Sequence, residues 1–299
     1  MNVRTLKAFL AVCRCGSITK AAEMIHLSQP ALSRKIQDLE AEVGAALFMR
    51  SSRRTLELTD AGVLMQARAG EIIEIVERTM ADISAAGENL AGSVRLGCVE
   101  SSAIGFVLEA LRDARSRLPH VQFELYSADG DDIRLALDAD RIDMGVVLEP
   151  IETAKYESIA LPVADRWGVV VKADSPQAAL ESISCEQTAA LPLILPRRGI
   201  VQDVVAQWLG VPVEKLKVVM RHNLPTLSIC FVREGLGALL CVEGSYTARP
   251  TEGVRFVPIA PQRLARHVLI RRRGRKLARA PENFWERLAL RAAGDAPFP

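Results

Sequence analysis

Leu27-Ser28-Gln29-Pro30-Ala31-Leu32-Ser33-Arg34-Lys35-Ile36-Gln37-Asp38-Leu39-Glu40 is the stretch that decides the fold. At about 100° per residue, Leu32, Ile36, Leu39 and Val43 fall in one narrow sector, the buried face of a helix over about Gln29 to Val43. Ser28 stands where an N-cap belongs, and Pro30 lies in the first turn, where a missing N–H does no harm. The opposite side carries Pro30, Arg34, Gln37 and Ala41, with Ser33 on its flank. Arg can bond guanine bidentately and Gln can do the same to adenine, so this face suits the edges of bases. An ordinary solvated helix face has the same composition, and the flanking sequence must decide between them.

Upstream, Leu6, Phe9, Leu10 and Cys13 recur at helical spacing, and Gly16-Ser17 breaks the pattern. A second short helix containing Ala21, Ala22 and Ile25 follows, with Thr19 as its expected cap. Downstream, Leu47-Phe48 leads into the basic turn Met49-Arg50-Ser51-Ser52-Arg53-Arg54, and Thr55-Leu56-Glu57-Leu58 alternates as a strand does. Three helices closing on a basic hairpin describe a winged helix-turn-helix. Its recognition helix would enter the major groove of double-stranded DNA while Arg50, Arg53 and Arg54 meet phosphate. Residues 1–60 carry nine Lys/Arg against six acids, and 61–92 only two against five, within a chain of net charge +2. A basic head before an acidic segment fits that reading.

The linked motifs Ala21-Ala22-Glu23, Leu27 to Arg34 with Ile36, Leu39-Glu40, Leu47-Phe48 and Leu58-Thr59-x-Ala61-Gly62 resemble those of the LysR-type transcriptional regulators. The resemblance implies a helix-turn-helix over about 18–37 with Gln29, Pro30, Ser33 and Arg34 at the DNA, Gln37 lying one turn further along the same helix.

From Thr59, as cap, a long helix is expected, with Asp60 near its positive end. Met65, Ala69, Ile72, Val76, Thr79, Ile83, Ala86 and Leu90 make a heptad seam. Packing on its own domain is one use of that seam. A homodimer, which the resemblance also implies, is the favoured one, and it would present two recognition helices to two half-sites. Pairing of dimers into tetramers is frequent in the family. Ala91-Gly92-Ser93 reads as the end of the helix and a hinge.

Beyond 93 strands and helices alternate, which argues for a parallel α/β sheet. Strands are expected at Val94–Val99, Val121–Tyr126, Met144–Leu148, Trp167–Val171, Leu193–Leu195, Leu216–Met220, Ala238–Val242 and His267–Arg271. Crossovers near 163 and 265 give two lobes, similar to the family's effector domain. The expected organisation is thus α plus α/β: a winged helix-turn-helix over 1–59, a linker and dimerisation helix over 60–92, and an effector-binding domain over 93–299. Within that domain lobe I takes about 93–163 and 266–299, and lobe II about 164–265.

Ligands of two-lobed α/β domains bind in the cleft at the carboxyl ends of strands. Ser101 and Ser102, at a strand-to-helix junction, could hold an anion or merely cap the helix. Arg197 or Arg198 could face them as a clamp or sit solvated, and Thr226 heads another helix. Glu100 departs from the family's usual small or hydroxylic loop, and its charge opposes an anionic effector unless an arginine compensates. Cationic or mixed-charge ligands stay open.

No Gly-x-Ser-x-Gly elbow, phosphate loop or zinc pair is present, and Gly235-Leu236-Gly237 is too short for a dinucleotide fingerprint, so neither a catalytic residue nor a cofactor nor a metal is expected. A secreted transport receptor would share the two-lobed half, but the chain opens with a DNA reader and no apolar leader. Without a long apolar run, a cytoplasmic location with no membrane contact is expected, and the six cysteines read as free, inert thiols with redox sensing as the alternative. RNA polymerase is a further expected partner. The run Arg271-Arg272-Arg273-Gly274-Arg275-Lys276 reads as surface charge of the effector domain, not as a second nucleic-acid site.

Overall fold

A computed structural model of the chain describes residues 1–49, 56–84, 90–151, 154–247 and 252–294, the side chains of 78 and 81–84 excepted. Contacts divide it into two units, Met1–Ser84 and Ala85–Pro299.

The first unit is built from α1 (Val3–Cys15), α2 (Ile18–Met24), α3 (Gln29–Val43) and α4 (Asp60–Ser84). Leu6, Phe9 and Val12 of α1 pack on Ala21 and Ala22 of α2 and on Leu32, Ile36 and Leu39 of α3. The two alanines permit that close approach because they add only a methyl each. Ser17, not Thr19, caps α2 by accepting from the Lys20 N–H at 3.4 Å, since the α1 helix ends at once on Gly16 and leaves no room for a longer turn. Val43, expected on the buried face of α3, is 39% exposed, because the helix ends there and runs past the core.

Phe48 and Leu58 form an antiparallel bridge, where the base of the expected hairpin belongs; Arg50, Arg53 and Arg54 of its expected basic turn lie outside the described residues. Glu40 fixes that base to α3: its Oε1 accepts from the N–H groups of Leu47 at 2.7 Å and Phe48 at 3.2 Å. Thr59 caps α4 by accepting from the Gly62 N–H at 3.0 Å. A Cβ on Gly62 would lie 2.0 Å from the Leu47 carbonyl oxygen, so only glycine lets the helix start so near the hairpin.

The heptad seam is not one continuous surface. Ala69 is fully buried in the helix-turn-helix core and Met65 and Ile72 pack against it, whereas Thr79 is exposed and Leu90 packs on a core of the second unit. Ile83 and Ala86 fall among the undescribed side chains. The reason is geometric: α4 leaves the small domain across α1, which claims the first two heptads of the seam. Among the described residues α4 leaves the large apolar side chains of Val63, Leu64, Ile75 and Met80 exposed.

The second unit contains β1 (Ala91–Cys98), α5 (Ala103–Arg117), β2 (His120–Ser127), α6 (Gly130–Asp138), β3 (Met144–Leu148) and β4 (Tyr156–Lys172). It continues with β5 (Ile183–Ser184), α7 (Cys185–Ala189), β6 (Leu193–Pro196), α8 (Gly199–Leu209), β7 (Val218–His222), α9 (Pro225–Arg233), β8 (Ala238–Val242), α10 (Glu243–Thr247), β9 (Val254–Ala260), β10 (Leu264–Arg272) and α11 (Arg279–Ala292). Ala91-Gly92-Ser93, expected as a hinge, is the start of β1 and pairs in parallel with His120 to Gln122 of β2. The strand order β2-β1-β3-β10-β4-β8-β6-β7 makes two lobes joined through β4 and β10, which run antiparallel from Tyr156 opposite Arg272 to Arg166 opposite Leu264.

Strand β4 is much longer than the expected Trp167–Val171. Its first part was hidden by Pro162, which removes a ladder donor and argues against a strand interior. The ladder is interrupted at that place: pairing shifts between Arg266 and Val268, and the His267 ring reaches the Val163 carbonyl instead, Nδ1 to O 3.1 Å. Lobe I is packed round Val107, Met144, Leu269 and Phe284, and lobe II round Val169, Leu195, Leu240 and Val257. A bidentate ion pair, Arg95 with Asp143 at 2.8 and 3.2 Å, is buried in lobe I.

The basic run after β10 is tied down within the domain. Arg271 lies between Glu157 and Glu282 at 2.8 Å each and over the Trp285 ring, while Arg275 reaches Asp140 at 3.1 Å.

Candidate functional site: the α3 face and the interlobe cavity

On α3 the expected base-reading residues separate from the core as the helical period requires. Gln29, Pro30, Arg34 and Gln37 are exposed and Ser33 is half-buried, with Leu32, Ile36 and Leu39 on the other side. Ser28 caps the helix, accepting from the Ala31 N–H at 3.4 Å. Among the described residues Gln29, Ser33, Arg34 and Gln37 have no side-chain hydrogen bond or ion pair, so their polar groups are left to solvent.

The second site lies between the lobes. A cavity of about 70 Å³ is walled by Leu148, Trp167, Val201, Leu224 and Val242, and its polar lining includes Glu100, Asp129, Arg197, Arg198 and His222. Of the five residues singled out in the sequence, Arg197 and Arg198 line this cavity. Ser101 and Thr226 line a neighbouring hollow of about 290 Å³ together with Glu100, and Ser102 lines neither.

The arginines do not face the serines. Arg197 pairs with Asp129 and with Asp132 at 2.6 Å each, and Arg198 pairs with Asp131 at 3.0 Å. The Asp129-Gly130-Asp131-Asp132 run begins α6, and Asp129 also caps that helix, accepting from the N–H groups of Asp131 and Asp132. The two carboxylates raise the Arg197 pKa above its ordinary value. Burial would raise the Asp131 carboxyl, but Arg134 and Arg198 outweigh it and hold it low. Glu100 is met from lobe II: the Thr226 backbone N–H donates to it at 3.1 Å, and so does the Thr226 hydroxyl.

The N-terminus of α5 is likewise already served. The Ser102 N–H donates to Asp165 at 3.0 Å, and the same carboxylate accepts from the Gly244 N–H of α10 at 3.0 Å. His267 Nε2 lies 3.4 Å from it. Burial works to raise the Asp165 carboxyl, yet hydrogen bonds from His267 and Ser102 keep it below the usual carboxylate range. An internal carboxylate thus takes the Ser102 N–H, one of the groups expected to hold an anion. Asp165 joins helix starts from both lobes, and a Cβ on Gly244 would lie 2.0 Å from Ser102 N, so no other residue permits that approach.

Sequence reading missed His222, which ends β7 and is buried with no close hydrogen bond to either ring nitrogen among the described residues. Burial pushes its pKa down to about 4, so the imidazole is neutral at pH 7. Nothing in the pattern around Arg221-His222-Asn223 marks it, because its position depends on lobe I closing over it. The buried thiol of Cys98 is pushed up to about 12, and half-burial takes Cys13 to about 11, which leaves little reactive thiolate at either. Among the described residues no three His, Cys, Asp or Glu are grouped to hold a metal ion, and no helix is long and apolar enough to cross a membrane.

Comparison with known proteins agrees with this architecture. Residues 3–63 match the bacterial regulatory helix-turn-helix protein, lysR family, and residues 87–293 match the LysR substrate binding domain. The chain is 26% identical over 251 residues to the uncharacterized HTH-type transcriptional regulator YvbU of Bacillus subtilis, covering 84% of each. It is 31% identical over 198 residues to the nitrogen assimilation regulatory protein nac of Klebsiella aerogenes, covering 66% of this chain and 63% of that one. Its fold matches full-length CbnR complexed with target DNA at a TM-score of 0.75, with 21% identity and coverage of 99% of this chain and 100% of that one. With a helix-turn-helix at one end and a two-lobed α/β domain at the other, both matched over nearly their full lengths, this chain belongs to the LysR family of DNA-binding transcriptional regulators.

Proposed function

We propose that the chain is a sequence-specific regulator whose α3 reads bases in the major groove through Gln29, Pro30, Ser33, Arg34 and Gln37. Arg50, Arg53 and Arg54 hold phosphate in this reading. The observation that carries it is the division of α3 into a buried apolar face and an exposed polar face whose groups have no partner among the described residues.

The regulator acts as a homodimer, with dimers pairing into tetramers. Residues 1–59 bind DNA, 60–92 link and dimerise, and 93–299 sense the effector. The exposed Val63, Leu64, Ile75 and Met80 of α4 support the dimer, since one helix leaves them in water. A small-molecule effector binds in the interlobe cavity and changes the closure of the lobes, and so the spacing of the two readers and their contact with RNA polymerase. The ion pairs that bridge the lobes support this reading: a ligand that rearranges them has the differential affinity for two states that allostery requires.

Selection of binding sites from a random duplex library tests it. The expected product is a dyad-symmetric consensus with half-sites separated by one helical turn or a multiple of it. A single half-site, or no consensus, would overturn the reading. Ala128 lines the cavity, and Ala128→Leu should fill it and abolish any effector response while leaving that consensus unchanged.

A further inference from the structure

The charges and hydrogen-bonding groups round the interlobe cavity restrict what it can take. Two arginines line it, and three aspartates, Asp129, Asp131 and Asp132, already meet them at 2.6 to 3.0 Å. Asp131 is shared further with Arg134 at 2.6 Å. Glu100 adds another carboxylate, held by Thr226. An entering anion would therefore meet arginines whose charge is already matched and would be repelled by the carboxylates beside them. In a partly desolvated site that repulsion is strong.

His222 is different in kind. It lines the same cavity and is 8% exposed, and its ring nitrogens make no close hydrogen bond among the described residues, the backbones of Leu240 and Leu224 lying just near enough to favour its charged form. A buried polar group so poorly satisfied costs free energy and calls for an explanation such as a bound water, ion or ligand. The charged groups that face it are Glu100 and Asp129, both negative, from lobe I. Its neutral form presents one acceptor nitrogen and one donor nitrogen. The rest of the wall is largely apolar: Leu148, Trp167, Val201, Leu224 and Val242.

We infer that the effector is a small, mainly apolar molecule whose polar head donates a hydrogen bond to His222 and carries no negative charge, an amine or an alcohol in class. The inference rests on the cavity being the effector site proposed above. A volume of about 70 Å³ limits the ligand to a few heavy atoms unless the lobes part. The apolar walls take its body, and the carboxylates of Glu100 and Asp129, which act on His222, favour a cationic or neutral head over an anionic one.

The test uses the full chain labelled with 13C at histidine, which has four histidines, and three probes of matched shape: butylammonium, 1-butanol and butyrate. The His222 resonance is assigned by its loss in His222→Gln. Butylammonium or butanol should move the His222 resonance and raise the melting temperature, and butyrate at the same concentration should do neither. In His222→Leu, the affinity of the effective probe should fall about tenfold, the size of one lost hydrogen bond. Should butyrate move His222 as far as the others, the ligand class is wrong and the interlobe site stands. Should none of the three move it, the role given to His222 is wrong, whereas the cleft reading falls only if Ala128→Leu leaves an effector response intact.

Discussion

The polar face of α3 and the polar lining of the interlobe cavity are built on opposite plans. On α3 the groups proposed to read DNA are exposed, Ser33 half so, and have no partner among the described residues. Between the lobes the arginines are already matched to aspartates, and an internal carboxylate serves the helix start proposed for an anion. A surface that meets a highly charged polymer loses little by waiting in water, since its groups stay solvated. A cavity that closes without ligand must satisfy its own charges, because unpaired buried charge is expensive. In the proposed reading the α3 face is therefore preformed, and the two-lobed domain must exchange internal partners for a ligand.

Several substitutions can break or sharpen that contrast. The largest effect should come from the most enclosed pair. Asp143→Ala leaves Arg95 buried without its carboxylate and should cost about 3–5 kcal/mol of stability, read by urea denaturation. A loss under ~1 kcal/mol would mean that the charges inside the sensor are solvated and the contrast is weaker than drawn.

His222 gives the next effect, through pH. Its folded pKa, about 4, lies below the ordinary value of 6.5, so the unfolded chain binds the extra proton first as pH falls. Stability from this group is complete above pH 6.5 and drains away between pH 6.5 and about 4, by up to about 3 kcal/mol. His222→Leu should flatten the stability curve in that window, and an unchanged slope would show that the ring is hydrated.

Smaller still is Arg197→Ala. Its side chain is 45% exposed, so losing its pairs with Asp129 and Asp132 should change stability by less than ~1 kcal/mol. A larger loss would make the cross-lobe pairing a strut of the fold and not an exchangeable latch. At the reader, Arg53→Ala should lower affinity for all duplexes alike and reduce the salt slope by about one.

Much of this was legible beforehand, for physical reasons that can be named. The faces of α3 follow from the spacing of Leu32, Ile36 and Leu39, and its cap from Ser28, since both depend on local geometry alone. The linked motifs around them identified the family. What stayed hidden depends on long-range contact. Asp165 and His267 lie far apart in sequence, and only the antiparallel pairing of β4 with β10 brings them together. The Arg197 and Arg198 partners sit near 130, in a run that reads equally as a helix cap. The seam read over 65–90 crosses an element boundary: Ala69, on α4, is buried in its own domain, whereas Leu90 lies beyond α4 and packs within the second unit.

The central proposal, that the exposed face of α3 reads bases, is tested most directly by fluorescence anisotropy with two duplexes. One carries the selected consensus and the other the same composition scrambled, each measured with wild type and with Arg34→Ala. The expected result is a loss of about 5- to 150-fold in discrimination, the equivalent of ~1–3 kcal/mol at one base pair, with affinity for the scrambled duplex little changed. Equal discrimination by the two proteins would contradict the proposal and leave Arg34 as a contact to the backbone.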